Sequence, residues 1–268
     1  MTQRTRIKIC GLTREADVDA AVQAGADAVG FVLYDKSQRH VSPARAAELA
    51  RRLPPFVTPV ALLVNASDAE VDACIAALPL ALLQFHGDEA PQRCDETSRP
   101  YLRAARMSEG FDLLDFATQF SNAQAILLDA HVEGYGGGGK VFDWSLIPAI
   151  VPSPVVLSGG LHAGNVIEGI LQVRPWAVDV SSGVEAAKGI KDAALIRRFC
   201  DAVREADARI ADAIGELHFA VGRSEALDVE ALPLFDAILL STGLHDCIHT
   251  ARHPRGCGSR VKVEGPCR

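Results

Sequence analysis

Two side chains in this sequence stand where a proton could be exchanged with a small molecule. Cys10 closes the short apolar run Arg6-Ile-Lys-Ile-Cys10, with Gly11 leaving space beside the sulfur. Asp129 closes a second run, Ala125-Ile-Leu-Leu-Asp129, an apolar context in which a carboxylate is unfavourable unless something there requires it. A thiol can act as a proton acceptor when neighbouring charge favours the thiolate, and a carboxylic acid can serve as its counterpart. The bland readings are a small buried hydrophobe at Cys10 and a loop-ordering carboxylate at Asp129. Lys8 shares the face of Cys10 by the two-residue strand period but lies one layer deeper.

Further groups point to an anionic ligand. Ser158-Gly159-Gly160 and Ser181-Ser182-Gly183 each follow a strand-like run, and glycine lets backbone N–H groups approach a phosphate closely. Arg39, in a polar loop, has the planar fork that suits a carboxylate. Gln84 and His86 share one strand face, and Asp179 interrupts an apolar strand; each could serve a ligand or a hydrogen-bonded core. The loop 134–140 nearly completes a P-loop, but Val141 replaces the hydroxyl residue that would hold magnesium. Nucleotide hydrolysis is rejected there, and Gly136, Gly137, Gly138 and Gly139 are expected to form a lid over substrate. Cys247, His249, His253 and Cys257 offer soft ligands at a spacing that fits no common zinc finger, so no metal is expected.

What must position these residues is a strand–helix alternation. Short runs rich in aliphatic residues recur at 6–10, 28–33, 58–64, 81–86, 101–106, 125–130, 155–158 and 177–181. Helix-start signals lie between them: Thr13, Ser42 before Pro43, and Ser67 before an acidic first turn. Eight such strands, each followed by a helical stretch, predict a (β/α)₈ TIM barrel over 1–206, with an open doubly wound sheet as the alternative. Residues 207–268 are expected to be an extension of uncertain structure, helical to Leu217, then irregular with one apolar run at Phe235–Leu240, and disordered over Arg252–Arg268, where nothing supplies a packed core.

Composition narrows the function. With 49% hydrophobic and 23% charged residues, the 268-residue chain has ordinary globular composition, and a net charge of −7 argues against a nucleic-acid partner. No run approaches the ~18–20 apolar residues of a membrane span. The N-terminus lacks a signal-peptide core, and seven cysteines, an odd count, favour reduced thiols in a cytoplasmic setting.

The motifs together resemble the phosphoribosylanthranilate isomerases of tryptophan biosynthesis. The matching stretches are Lys8-Ile-Cys-Gly-Leu-Thr13, Gly25-Ala-Asp-Ala-Val-Gly-Phe31, Ser37-Gln-Arg-His-Val-Ser-Pro43, Gln84-Phe-His-Gly87, Leu127-Leu-Asp129, Phe142-Asp-Trp-Ser145, Leu157-Ser-Gly-Gly-Leu161 and Val178-Asp-Val-Ser-Ser-Gly-Val-Glu185. The resemblance implies the barrel, an Amadori rearrangement of N-(5′-phosphoribosyl)anthranilate, and no metal or organic cofactor. It puts the base on Cys10, the acid on Asp129, the carboxylate anchor on Arg39, and the phosphate on Gly159, Gly160, Ser181, Ser182 and Gly183. Gln84, His86 and Asp179 are expected at the substrate. The expected partner is a small phosphorylated molecule, with the chain a monomer or a homodimer. The competing expectations are the histidine-pathway aminoaldose isomerase, against which Cys10 and the lack of half-chain repetition argue, and a non-catalytic barrel binding a phosphoribosyl ligand.

Overall fold

The computed structural model describes residues 4–130 and 141–222. Eight parallel strands close into a barrel in sequence order: β1 (Arg6–Cys10), β2 (Ala28–Val32), β3 (Thr58–Leu63), β4 (Leu82–Phe85), β5 (Tyr101–Met107), β6 (Ala125–Ala130), β7 (Val155–Leu157) and β8 (Ala177–Val180). A small hairpin follows, β9 (Glu185–Ala187) with β10 (Ile190–Lys191). The helices are α1 (Glu15–Gln23), α2 (Pro43–Ala50), α3 (Asp68–Ala77), α4 (Pro91–Asp95), α5 (Leu113–Gln119), α6 (Val166–Val173) and α7 (Ala193–Gly222). Between β6 and β7 the described residues carry only a 3-10 turn, Trp144–Leu146, where a full helix was expected.

The strand period sorts side chains into two apolar layers. Ile7, Ile9, Val29, Phe31, Leu83, Ile126, Leu128 and Val178 point outward and are buried under the helices. Val60, Leu102, Ala104, Ala125, Leu127, Val156 and Ala177 fill the barrel's interior. Burying a side chain such as Ile126 or Leu127 contributes about 2–3 kcal/mol. The lower interior is therefore solid, and inward-facing polar groups are pushed to the carboxyl ends of the strands.

Local signals set the helix starts. Ser42 accepts from the Arg45 N–H with Pro43 in the first turn, and Ser67 with Glu70 forms a capping box. Thr13 departs from expectation. The N-cap of α1 is Arg14, while the Thr13 hydroxyl donates to the Gly189 carbonyl in the β9–β10 turn.

The boundary expected at 206 falls inside α7. Asp207 accepts from both the N–H and the hydroxyl of Thr5, and Ile210 leans on the core, so the compact unit runs Met1–Gly215. The glycines 136–139, the run 235–240, the stretch 252–268 and the Cys247, His249, His253, Cys257 cluster lie outside the described residues. No helix among those described is long and apolar enough to cross a membrane.

Candidate active site

The inward-facing residues at the strands' carboxyl ends divide by character. Cys10, Val32, Leu62 and Val64, with Tyr34 against them, make an apolar wall over β1 to β3. Gln84, His86, Asp129, Ser158 and Asp179 make a buried polar arc across β4, β6, β7 and β8. A ligand with one aromatic end and one polyhydroxyl end matches that division.

Cys10 occupies a gap that sequence reasoning missed. Its strand partner is Gly30, where a Cβ would lie 2.7 Å from the Cys10 sulfur. Any larger residue would evict the thiol. The signal was present, since a glycine inside a buried strand often marks close approach. Beneath the thiol, Lys8 Nζ donates to Asp179 Oδ1 at 2.8 Å, and Ser158 Oγ lies 3.3 Å from the other carboxylate oxygen. Burial pushes the Cys10 thiol up from its ordinary range; Lys8 and Lys191 pull it down, and Asp179 pushes it up again. The net displacement is upward, which favours the protonated thiol. Lys8 itself is held charged: burial opposes its charge, but Asp179 outweighs that.

Asp129 sits three strands away around the closed barrel. Its Oδ1 accepts the Ala130 N–H at 3.0 Å, and its Oδ2 lies 3.1 Å from His86 Nε2. Gln84 Nε2 meets His86 Nδ1 at 3.0 Å. With the amide nitrogen donating, the ring proton sits on Nε2 and is donated to Asp129. Gln84 Oε1 is buried with no partner in this arrangement. Gly159, at φ +77°, passes so close that a Cβ there would lie 3.1 Å from Asp129 Oδ1. Gln84 and His86 thus form one chain ending on Asp129, and Asp179 is taken up by Lys8 and Ser158. These three were expected to touch substrate; Gln84 and His86 bond each other and Asp129, and Asp179 bonds Lys8 and Ser158.

The β2 and β8 loops meet. Arg39 Nε and Nη2 donate to the two Glu185 oxygens at 2.7 and 2.8 Å, and Lys191 Nζ donates to Glu185 Oε1 at 2.9 Å. Lys191 also donates to the Ser181 carbonyl at 2.9 Å. Glu185 and Lys191 were not singled out from sequence; Lys191 lies in a two-residue strand too short to show periodicity. Gly159 and Gly160 both have positive φ, and a Cβ on Gly183 would overlap the Leu161 carbonyl oxygen. The loops after β7 and β8 therefore lie directly against each other. Among the described residues, no group of His, Cys, Asp and Glu side chains could hold a metal ion.

Residues 7–202 match the family model for N-(5′-phosphoribosyl)anthranilate (PRA) isomerase. The curated N-(5′-phosphoribosyl)anthranilate isomerase of Methylibium petroleiphilum is 74% identical over 208 residues, covering 78% of this chain and 98% of that protein. The one from Dechloromonas aromatica is 61% identical over 207 residues, covering 77% of this chain and all of that protein. Among solved structures, the phosphoribosyl anthranilate isomerase of Thermotoga maritima is 40% identical at a TM-score of 0.68, over 75% of this chain and 99% of that one. A related crystal structure, 38% identical at a TM-score of 0.66 over 75% of this chain and 99% of that one, holds the enzyme with reduced 1-(o-carboxyphenylamino)-1-deoxyribulose 5-phosphate. By sequence and fold together, the chain belongs to the N-(5′-phosphoribosyl)anthranilate isomerase family.

Proposed function

We propose that this chain isomerises N-(5′-phosphoribosyl)anthranilate in tryptophan biosynthesis, with Cys10 as the general base and Asp129 as the general acid. One observation carries the assignment of roles. The thiol and the carboxylate stand at the carboxyl ends of β1 and β6, each held by its own partners, with an apolar wall on one side and a polar arc on the other.

Asp129 protonates the ribose ring oxygen, and the ring opens to a Schiff base at the substrate nitrogen. The Cys10 thiolate then removes the C2′ proton, and the electron pair moves toward that nitrogen to give an enolamine. Protonation at C1′ and loss of the C2′ hydroxyl proton yield the 1-amino-1-deoxyketose. The substrate's own nitrogen accepts the electrons, so the reaction needs no cofactor.

The hydrogen-bond chain behind Asp129 suits this cycle. While Asp129 is a carboxylate, His86 donates from Nε2 and Gln84 donates to Nδ1. When Asp129 carries the proton, Nε2 must accept it, Nδ1 must donate, and Gln84 must turn its free Oε1 toward the ring. Phosphate binding is assigned to backbone N–H groups of Gly159, Gly160, Ser181, Ser182 and Gly183, where two loops with glycine backbone lie against each other. The aromatic ring is placed on Val32, Leu62, Val64 and Tyr34, and its carboxylate on Arg39. The glycines 136–139 remain the proposed lid.

A fluorescence assay following loss of phosphoribosylanthranilate tests the roles. Cys10→Ala and Asp129→Ala should each lose several orders of magnitude in kcat while retaining the fold. A folded variant with undiminished turnover would refute the role assigned to its residue.

A further inference from the structure

Arg39 is not a free guanidinium waiting for an anion. Its Nε and Nη2 are already committed, side-on, to the two oxygens of Glu185, and its side chain is only 11% exposed. The end-on edge, Nη1 with the second hydrogen of Nη2, is the part that Glu185 leaves over. Glu185 is itself fixed from three directions: by Arg39, by the fully buried Lys191 ammonium, and by the Gly189 N–H at 3.3 Å. Lys191 continues to the Ser181 carbonyl and hydroxyl, which begin the β8 loop. Below, Gly11 at φ +77° lets the arginine stem cross the end of β1, since a Cβ there would lie 2.5 Å from Arg39 Cδ.

We propose that Glu185 is a positioning residue for substrate specificity: seated on Lys191, it locks Arg39 so that only the end-on edge of the guanidinium meets the substrate's carboxylate. The inference rests on the reading of Arg39 as the carboxylate anchor. A loose arginine has many rotamers to lose on binding, and a locked one has already lost them before the ligand arrives. The two cations and one anion leave the cluster one positive charge in excess, which the substrate carboxylate neutralises. A lone Arg39–Glu185 pair would have no such surplus. Lys191 therefore restores the attraction that Glu185 alone would cancel.

The test compares two substrates on the full chain: N-(5′-phosphoribosyl)anthranilate and N-(5′-phosphoribosyl)aniline, which lacks the carboxylate. Wild type should prefer the first by about 100-fold in kcat/KM, the scale of charge-assisted hydrogen bonds. Glu185→Gln makes the cluster more positive but frees the guanidinium; the loss of positioning should outweigh the added charge and shrink that preference by about tenfold, expressed in KM, with kcat on the aniline compound little changed. Glu185→Asp keeps the cluster's charge and guards against loss of fold, but its stem is one methylene shorter and does not bring the carboxylate to Nε and Nη2, so it should shift the preference the same way. A folded Glu185 variant that keeps the full preference, or that loses both substrates equally, overturns the positioning role. Arg39→Ala separates the two readings: if it too keeps the preference, the carboxylate anchor itself is misassigned.

Discussion

Replacing Lys8 by Met removes the charge beneath the thiol while keeping a side chain of similar length. Two unit charges about 4 Å apart at an effective dielectric of about 20 interact by about 4 kcal/mol, an upper bound for the help Lys8 gives the thiolate. Asp179, 2.8 Å from the same ammonium, stays in the variant without its cation, so its repulsion of the thiolate adds to the loss of Lys8. The sign is fixed: a cation favours the thiolate, so its loss raises a thiol pKa that burial has already pushed up. Below that pKa the thiolate fraction falls tenfold per unit. At neutral pH, kcat/KM should therefore drop about 10- to 100-fold, with the limb on which activity rises shifted to higher pH.

The assay is the pH profile of kcat/KM for both proteins. The variant also leaves Asp179 buried beside no cation, which destabilises by about 3–5 kcal/mol when one partner of a buried pair is removed. Lys8→Met combined with Asp179→Leu removes both charges and serves as the folded control. A variant whose profile keeps its position and merely scales down at every pH would refute the electrostatic role of Lys8.

Three other perturbations have sharp outcomes. Gly30→Ala places a Cβ 2.7 Å from the Cys10 sulfur, and a displacement of about 1 Å in a catalytic group costs about 100-fold; kcat should fall on that scale with the fold's circular dichroism unchanged. Gln84→Met removes the group that sets the His86 tautomer, so kcat should fall about tenfold with KM within about twofold, and the ¹⁵N spectrum of His86 should lose its single-tautomer pattern. Burial pushes the Glu185 carboxyl up, but Arg39 and Lys191 outweigh it and leave it below its ordinary 4.5. Because the folded value is depressed, the resulting stability is full above that ordinary value and is lost as pH falls through the folded one. The urea-unfolding gap between wild type and Glu185→Gln should therefore close in acid.

Most of the barrel was legible because a parallel barrel strand, buried on both faces, announces itself as a run of aliphatic residues. All eight starts lie within one residue of expectation, and β1 and β6 match at both ends. Ser42 and Ser67 were legible because capping is local. Thr13 misled because its hydroxyl is used by Gly189, 176 residues away, a partner no local pattern shows. The general strand–helix alternation put a helical stretch after β6 as after every strand, and the described part contains only a 3-10 turn. Cys10 and Asp129 were visible as chemically odd residues ending apolar runs. Their supports were not, since Glu185 reaches Arg39 across 146 residues and Gly30 matters only through the register that puts it beside the sulfur.

The proposed base and the proposed acid are served by separate partner systems: Lys8, Asp179 and Lys191 act on Cys10, while Gln84 and His86 act on Asp129. The two systems share no member, and the steps they serve are consecutive, ring opening first and C2′ deprotonation second. A deuterium at C2′ slows only the second. Lys8→Met weakens the base, makes deprotonation more fully rate-limiting, and should raise the isotope effect on kcat/KM. Gln84→Met slows ring opening and should lower it toward unity. Isotope effects that move in the same direction in both variants would mean that the two chains act on one concerted step, and the assignment of Asp129 to ring opening would fall with that result.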